Sequence, residues 1–429
     1  MRPMQEIFAV ALFAIVLLVI AFELVHRTVA ALLGAALLIA FGIVGQESAV
    51  DEYIDWNTIG LLAGMMVIVA VLEKTGVFEY LAIRSAQWGR ARPGRILILL
   101  ALVTAFLSAF LDNVTTVILM VPVTFVIAEA LDTDPVPFLL TQVMASNIGG
   151  AATLIGDPPN ILIGSAADLS FAQFVYNLTP VVLLTLPVVL GVLYLLFRKQ
   201  LRQGEGAEEA IMAMDASGSI RDKVLLRKAL MVLSLVIFAF FLHGILHLAV
   251  ATIALLGAAA LVLYTESDIE EVLREVEWPT LLFFVGLFVL VGGLEATGFI
   301  DEIAELLTQV APGASALTAV VVIWGSGLAS GVVDNIPFTA TMIPVISGLA
   351  EAEGLNEAQT NSLWWALALG ADFGGNLTLI GASANVVVAG MSERAGVRIS
   401  FIRFMLYGIP VTLVSLAVAT AYVVVRYYM

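Results

Sequence analysis

The chain has 429 residues, of which 61% are hydrophobic and only 13% are charged. A soluble globular domain has about 25% charged residues, so the composition excludes an ordinary soluble protein. The formal charge of -16 comes with no basic stripe that could follow phosphates, which argues against a nucleic-acid partner. There are no cysteines, so disulfides and thiolate metal sites are excluded, and we expect neither a cofactor nor a resident metal.

Apolar runs of about 17–20 residues recur along the chain, and each is long enough to cross roughly 30 Å of hydrocarbon as a helix. The short alternating segments of a membrane β-barrel are absent from the sequence. We therefore predict an all-α, multi-pass protein of the cell membrane with about ten spans. The first apolar run lacks a small-residue cleavage signal, so it is interpreted as a retained span and not as a signal peptide.

Two long segments of the chain repeat each other. "WNTIGLLAGMMVIVAVLEKTG" from Trp56 matches "WPTLLFFVGLFVLVGGLEATG" from Trp278, an offset of 278 − 56 = 222. "GGAATLIGDPPN" from Gly149 matches "GGNLTLIGASAN" from Gly374, an offset of 374 − 149 = 225. Nearly the same offset over about a hundred residues indicates a duplicated unit. We predict a first repeat over 1–200, a cytoplasmic linker over 201–225 and a second repeat over 226–429.

The basic residues predict that the two repeats have opposite orientations. The loop "RSAQWGRARPGR" from Arg84 is rich in arginine, whereas its counterpart after Gly298 holds Asp301, Glu302 and Glu305 and no basic residue. The positive-inside rule places the first loop in the cytoplasm and the second outside. Inverted repeats are typical of secondary transporters that bind their substrate near the midplane of the bilayer. A duplication that merely enlarged a scaffold is the alternative, but polar motifs at membrane depth favour function.

Each repeat holds an Asp-Asn pair inside an apolar stretch, "LDNVTTVILMVP" from Leu111 and "VDNIPFTATMIP" from Val333. The apolar limbs of about 16 residues would make roughly 24 Å of helix, which is marginal for a span. We therefore predict re-entrant hairpins over about 96–130 and 317–350; a simple helix cap at a turn is the alternative. The predicted binding residues at the two tips are Asp112, Asn113, Thr115, Thr116, Asp334, Asn335 and Thr339.

Each repeat also has a glycine-rich interruption, "SNIGGAATLIGDPPNILIG" from Ser146 and "ADFGGNLTLIGASANVVVAG" from Ala371. Glycine weakens a helix and proline removes a donor, so we predict helices broken in mid-membrane over about 138–165 and 360–390. Such breaks persist where they line a cavity, although a kink needed only for packing is the alternative. The predicted binding residues of the breaks are Asn147, Gly149, Gly150, Thr153, Gly156, Asp157, Asn160, Asp372, Gly374, Gly375, Asn376, Thr378, Gly381, Ser383 and Asn385.

The four motifs, in this order, resemble those of the ion transporter superfamily. Within it they are most similar to the branch of ArsB-type arsenite permeases, NhaD-type sodium/proton antiporters and the melanosomal P protein. The resemblance covers about residues 23–422. It implies a scaffold domain, a transport domain with two hairpins, elevator-type movement and a homodimer. The dicarboxylate branch has Ser-Asn-Thr at its hairpin tips, which differs from the Asp-Asn pairs of this chain.

The charges of the motifs restrict the cargo. No Lys or Arg occurs in the four motifs, whereas Asp112, Asp157, Asp334 and Asp372 lie in or beside them. Clustered, buried carboxylates repel a dianion and favour proton binding near neutral pH, so we predict that these four acids couple transport to protons. The expected function is proton-coupled antiport of a small inorganic solute. Arsenite or antimonite efflux ranks first on the resemblance, with transported Na⁺ or H⁺ in a sodium/proton antiporter as the alternative.

Other interpretations stay open at this stage. An arsenite pump could also engage a cytoplasmic ATPase, and an organic anion transporter or a channel ranks lower. The motifs hold no histidine and the sequence has no cysteine and no HExxH, so nucleophilic or zinc hydrolysis has little material, and we expect no enzyme. An intramembrane aspartyl enzyme built on Asp112 and Asp334 is a minor alternative. His243 and His247 have the i, i+4 spacing of a metal pair, although a pair at the membrane interface is preferred.

Overall fold

The structure is a computed structural model that describes residues 2–22, 24–202, 204–310 and 313–429. These ranges are helical and contain no β-strand, which confirms the all-α fold. The helices before residue 200 are α1 Arg2–Ala21, α2 Arg27–Ala40, α3 Gln46–Ser48, α4 Trp56–Lys74, α5 Val77–Trp88, α6 Pro93–Ser108, α7 Asn113–Ala130, α8 Val136–Gly150, α9 Pro158–Ala166 and α10 Phe171–Phe197. The helices after residue 200 are α11 Ala207–Ala213, α12 Lys223–Leu246, α13 Val250–Thr265, α14 Ile269–Arg274, α15 Trp278–Thr297, α16 Phe299–Val310, α17 Ala316–Val333, α18 Asn335–Ala352, α19 Glu357–Gly374, α20 Ser383–Arg394 and α21 Phe401–Tyr427.

Eight described helices are long and apolar enough to cross a membrane, namely α1, α4, α7, α10, α12, α15, α17 and α21. The multi-pass membrane protein is thereby confirmed. Three further apolar helices are shorter: α2 has 14 residues, and α6 and α13 have 16 each. At about 1.5 Å per residue they reach roughly 21 and 24 Å, less than the hydrocarbon thickness of about 30 Å. By length alone, none of these three helices would span the full hydrocarbon layer.

The two Asp-Asn pairs lie between helices, at the junctions of α6 with α7 and of α17 with α18. Asp112 caps α7, because its carboxylate accepts a hydrogen bond from the Thr115 backbone N–H at 2.8 Å. Asp334 caps α18 through the Ile336 N–H at 3.0 Å, with a backbone φ of 92° that residues other than glycine rarely adopt. Capping, the alternative reading of both pairs, thus occurs at the same positions as the predicted tips.

The two glycine-rich motifs lie where one helix stops and another starts. α8 ends at Gly150 and α9 begins at Pro158, whose missing N–H would be unsatisfied at a helix start in any case. α19 ends at Gly374 and α20 begins at Ser383. Both connections are buried for most of their length. Their carbonyl groups therefore need protein donors, because water is scarce at this depth.

Equivalent asparagines supply those donors. Asn160 donates to the Thr153 carbonyl at 3.0 Å, and Asn385 donates to the Thr378 carbonyl at 2.9 Å. Each asparagine lies in the helix after the break and each carbonyl lies in the break itself. The same local solution therefore stabilises the interruption in both halves of the chain.

The helices form two groups that pack mainly among themselves. The central group contains α6–α10 and α17–α21, in which α6 packs on α8 and α17 packs on α19. The flanking group contains α1, α2, α4, α12, α13 and α15, in which α4 packs on α13 and α2 packs on α15. Each pair has its equivalent in the other half of the chain, so the duplication in sequence is also a duplication in contacts.

Glycine permits the closest of these approaches. A Cβ atom added to Gly149 of α8 would lie 2.2 Å from the Ala105 carbonyl oxygen of α6. A Cβ atom added to the equivalent Gly374 of α19 would lie 2.4 Å from the Gly327 carbonyl oxygen of α17. These glycines let a hairpin limb touch a broken helix backbone to backbone, which sets the position of the hairpin tips.

We expect Gly149→Ala to destabilise the protein by about 1–3 kcal/mol, because the added methyl group overlaps backbone that cannot move independently. The matched control is Gly191→Ala in α10, where no described atom lies within 4 Å of the added Cβ. The control should be neutral or stabilising by up to about 1 kcal/mol, since alanine is the better helix former. Thermal unfolding in detergent measures both, and equal stability of the two variants would contradict this packing.

Candidate functional site

Both hairpin tips converge on Asp157, at the start of α9. The Asn113 amide of the first tip donates to one carboxylate oxygen at 2.9 Å. The Asn335 amide of the second tip donates to the other oxygen at 3.2 Å. Asp157 is completely buried, so these amides replace the hydration that its carboxylate would have in water. One acid therefore joins the two Asp-Asn motifs, which are far apart in sequence.

Asn147 extends this network into the second half of the chain. Its carbonyl oxygen accepts from Asn113 at 3.2 Å, and its amide donates to the carbonyl oxygens of Asn376 at 2.9 Å and Asn385 at 3.0 Å. Asn376 in turn donates to the Met144 backbone carbonyl at 3.3 Å. All four sequence motifs thus meet in one buried array of amide and carboxylate groups.

Asp372 belongs to the same region but has a different environment. It is completely buried, and neither of its carboxylate oxygens has a hydrogen-bond partner among the described residues. The Asn160 side chain interacts with it, yet the Asn160 carbonyl oxygen is also buried without a donor in the described part of the chain. A proton on Asp372, or a bound cation, would neutralise its buried charge, and this is the chemistry that the arrangement permits.

The acids at the hairpin tips lie close enough for their charges to act on Asp157. Asp112 is held by Thr115, whose backbone N–H and hydroxyl both donate to it. Asp334 accepts from the Ser383 hydroxyl at 3.3 Å, across the break between α19 and α20. The structure therefore brings all four predicted acids together, two at the tips and two in the broken helices.

The remaining predicted residues fall into three sets. The hydroxyls of Thr116 and Thr339 are buried and have no partner among the described groups. Thr153 and Thr378 donate to backbone carbonyls of the hairpins, at Ala109 and Gly331. The predicted glycines lie at close backbone contacts, so their visible role is packing; their part in binding stays a prediction. The glycines are Gly149, Gly150, Gly156, Gly374, Gly375 and Gly381.

Arg27 is a site residue that the motifs do not contain. Its guanidinium donates to the Ser383 hydroxyl and, at 3.2 Å, to the Thr280 hydroxyl, and it lies 5.2 Å from the centre of the Phe283 ring. A cation is therefore present beside Asp334, although the motifs themselves have none. The sequence did contain a signal for this residue. Arg27 is a single arginine at the start of the apolar helix α2, whereas the equivalent position of α13 is occupied by Val250.

A cavity of about 370 Å³ leads to this arginine and to Asp334. It lies beside α20, and the segment from the end of α20 to the start of α21 carries Arg394, Arg398 and Arg403, which the positive-inside rule places in the cytoplasm. The related cavity of the other half, about 420 Å³, is lined by His243, His247 and Asp168 and does not include Asp112. The described site is thus approached from one side, and the histidine pair lies at the opposite one.

Glu277, the residue before α15, lies close enough to Asp112 and to Arg27 to interact with both charges. It is half-buried, and its carboxylate accepts from the Thr280 hydroxyl at 2.9 Å. Burial raises the pKa of the Glu277 carboxyl to about 7, and the negative charge of Asp112 adds to the effect. The Thr280 hydroxyl and the Arg27 guanidinium act in the opposite direction. Sequence reasoning did not select Glu277, because a glutamate just before a span usually lies in water.

A multi-span helical bundle in which hairpin tips and broken helices enclose buried acids defines a membrane transporter. The chain belongs to the citrate transporter (CitMHS) family, whose profile matches residues 17–370. The predicted superfamily is thereby confirmed, while the arsenite-permease or NhaD branch stays a prediction.

Related proteins agree with this class. An uncharacterised transporter of Mycobacterium tuberculosis is 46% identical over 427 residues, covering 99% of both chains. The P protein of Homo sapiens is 39% identical over 504 residues, covering 99% of this chain and 60% of that protein. The solved YdaH transporter of Alcanivorax borkumensis has a similar fold, with a TM-score of 0.58, 13% identity and 98% of each chain covered.

Glu277 makes the stability of the fold depend on pH. With its pKa raised to about 7 in the folded protein, against about 4.3 in an unfolded chain, folding becomes less favourable as pH rises between these values. We expect Glu277→Gln to weaken this decline by an amount on the order of 1 kcal/mol. Melting temperatures of the wild type, Glu277→Gln and the exposed control Glu208→Gln at pH 5 and pH 8 measure this effect. The same pH dependence in all three proteins would contradict the role of Glu277.

The tip acids can be tested separately from their capping role. Asparagine caps a helix nearly as well as aspartate, so Asp112→Asn and Asp334→Asn should insert and fold while losing proton-coupled flux. Thr115→Val is the matched control: it removes one hydroxyl contact to Asp112 but keeps the charge, and it should retain most of the flux. Flux under a pH gradient in proteoliposomes shows whether transport depends on the charge of the tip acids or only on their capping of the helices. Normal flux in both asparagine variants would exclude the tip acids from coupling.

Proposed function

We propose that the protein is a proton-coupled antiporter that exports a small inorganic solute. The observation that carries this proposal is the contrast between the two acids of the broken helices. Asp157 receives two amide donors, whereas Asp372 is equally buried and receives none from the described residues. A carboxylate in such a position needs a proton or a cation to be neutralised, so the site can exchange one for the other.

The exchange follows from the contacts. With a proton on Asp372, the buried acid is neutral, so it needs no counter-ion in the described structure. When cargo arrives through the cavity beside Asp334 and contributes its own positive charge or hydrogen-bond donors, that proton is released. Return of the proton after the cargo leaves restores the first state. Like charges on Asp157 and Asp372 make simultaneous deprotonation costly, which couples the two events.

Arsenite or antimonite is the first candidate cargo. At neutral pH arsenite is an uncharged trihydroxide, so it offers both donors and acceptors and requires no positive residue. The buried array of Asn113, Asn147 and Asn335 around Asp157 supplies complementary groups. The relationship between the arsenite permeases and the superfamily of this chain supports the choice. Elevator-type movement, a homodimer and a cytoplasmic ATPase as partner belong to the same proposal.

Sodium is the second candidate, because the unpartnered oxygens of Asp372 and Asn160 are the hard ligands that such a cation prefers. An organic anion is favoured by a different observation, the Arg27 guanidinium in the cavity, and by the family's description as citrate transporters. The four buried acids oppose a polyanion at the centre of the site, so this candidate ranks third.

The test is flux into proteoliposomes under an imposed pH gradient, comparing arsenite, sodium, lithium and citrate. We expect saturable arsenite movement that stops when the gradient is collapsed. Asp372→Asn should reduce the gradient-driven flux by at least about ten-fold while the protein still folds, because asparagine has nearly the same shape as a neutral aspartic acid but cannot take up or release the proton. Glu208→Gln, at an exposed site, is the control and should transport normally.

Three other results would each replace the proposal. Sodium movement without arsenite movement would identify the second candidate, and citrate movement would identify the third. Flux that rises linearly with concentration and ignores the pH gradient would identify a channel.

A further inference from the structure

Arg27 is the first residue of α2, in the flanking group, but its guanidinium reaches the central group. One contact, to Thr280 of α15, stays within the flanking group. The other contact, to Ser383 at the start of α20, crosses to the central group. The Phe283 ring beneath the guanidinium holds it in place from the flanking side. A single side chain therefore ties the two groups of helices together beside the cavity.

This contact between the two groups of helices exists in one half of the chain only. The segment "ALLGAA" occurs in α2 from Ala31 and in α13 from Ala254, an offset of 254 − 31 = 223, which makes Val250 the equivalent of Arg27. Valine cannot donate a hydrogen bond, and the equivalent of Ser383 is Pro158, which has no hydroxyl. The pseudo-symmetric position therefore lacks both members of the contact. The contact between the flanking and central groups is therefore present on one side of the site and absent from the pseudo-symmetric position on the other.

We propose that Arg27 is a positioning residue that latches the flanking group to the central group while the cavity on the predicted cytoplasmic side is open. The latch is a charge-assisted hydrogen bond, stronger than a neutral one and dependent on the planar guanidinium that reaches Thr280 and Ser383 together. It rests on the alternating access of the proposed function but not on the identity of the cargo.

The cargo reaches the same hydroxyl that the latch uses. Ser383 accepts from Arg27 and donates to Asp334 at 3.3 Å, so the latch and the tip acid share one oxygen. A solute that enters the cavity and binds Asp334 competes for that hydroxyl and for the attraction between Asp334 and Arg27. Binding therefore weakens the latch. Movement of the central group then depends on whether a solute is bound at Asp334.

The absence of cysteine from the sequence makes the latch measurable with single introduced thiols. Val387→Cys lines the cavity on the predicted cytoplasmic side, and its equivalent in the other half, Leu162→Cys, lines a cavity of about 640 Å³ at the far side. Labelling rates with a membrane-impermeant maleimide report the opening of each side, in vesicles of each orientation and without cargo.

In the Arg27→Gln background we expect labelling of Val387→Cys to slow by about five-fold and labelling of Leu162→Cys to speed up, because the open state has lost its latch. Thr280→Val, which removes the anchor of the guanidinium, should shift both rates in the same directions by less. Arg84→Gln removes an arginine that stacks on Tyr80 away from the site, and it should change neither rate.

Unchanged rates in Arg27→Gln would overturn the latch. A rise at both thiols would overturn it too, because this pattern reports loosening of the whole fold and not a change of state. The reciprocal shift is read without any solute, so it separates the latch from the proposed function. If the shift is found but none of the tested solutes is transported, the latch stands and the proposed cargo falls.

Discussion

The buried carboxylate of Asp157 lies where four helix ends meet inside the membrane, and the rest of the structure depends on satisfying it. Each helix end exposes backbone groups that water cannot reach at this depth. Amide side chains satisfy both needs at once: Asn113 and Asn335 serve the acid, while Asn160 and Asn385 serve the open carbonyls of the breaks. Binding chemistry and structural support thus share the same groups, so a cargo that enters the site also alters what holds it together.

The flanking helices matter because one of them contributes an arginine to the site. At the start of α2, the side chain of Arg27 reaches the Ser383 hydroxyl of the central group. The cavity that reaches Asp334 lies beside this arginine. One residue of the flanking group therefore affects both the charge balance of the site and its access.

The repeated motifs carried most of what the sequence could predict. A shared offset identified Asp112 with Asp334 and placed the helix ends near the glycines, because duplication preserves spacing. The roles of Arg27 and Glu277 could not be predicted from the sequence, because their relation to the site depends on how α2 and α15 pack and is not marked by a local sequence pattern. The hydroxyls of Thr115, Thr153 and Thr378 donate to a capping acid and to hairpin carbonyls, contacts that depend on tertiary geometry, and the part of these residues in binding stays a prediction.

The two central acids do not occupy equivalent places in the repeat. At an offset of 225, Asp372 corresponds to Asn147, and Asp157 corresponds to Ala382. A symmetric pair of first halves would hold two copies of Asp157, and a symmetric pair of second halves two copies of Asp372. Either arrangement would keep two central acids, but both acids would then have the same surroundings. The present chain instead combines one carboxylate that receives two amide hydrogen bonds with one whose oxygens have no hydrogen-bond partner among the described residues, so each half contributes a different kind of acid to the site.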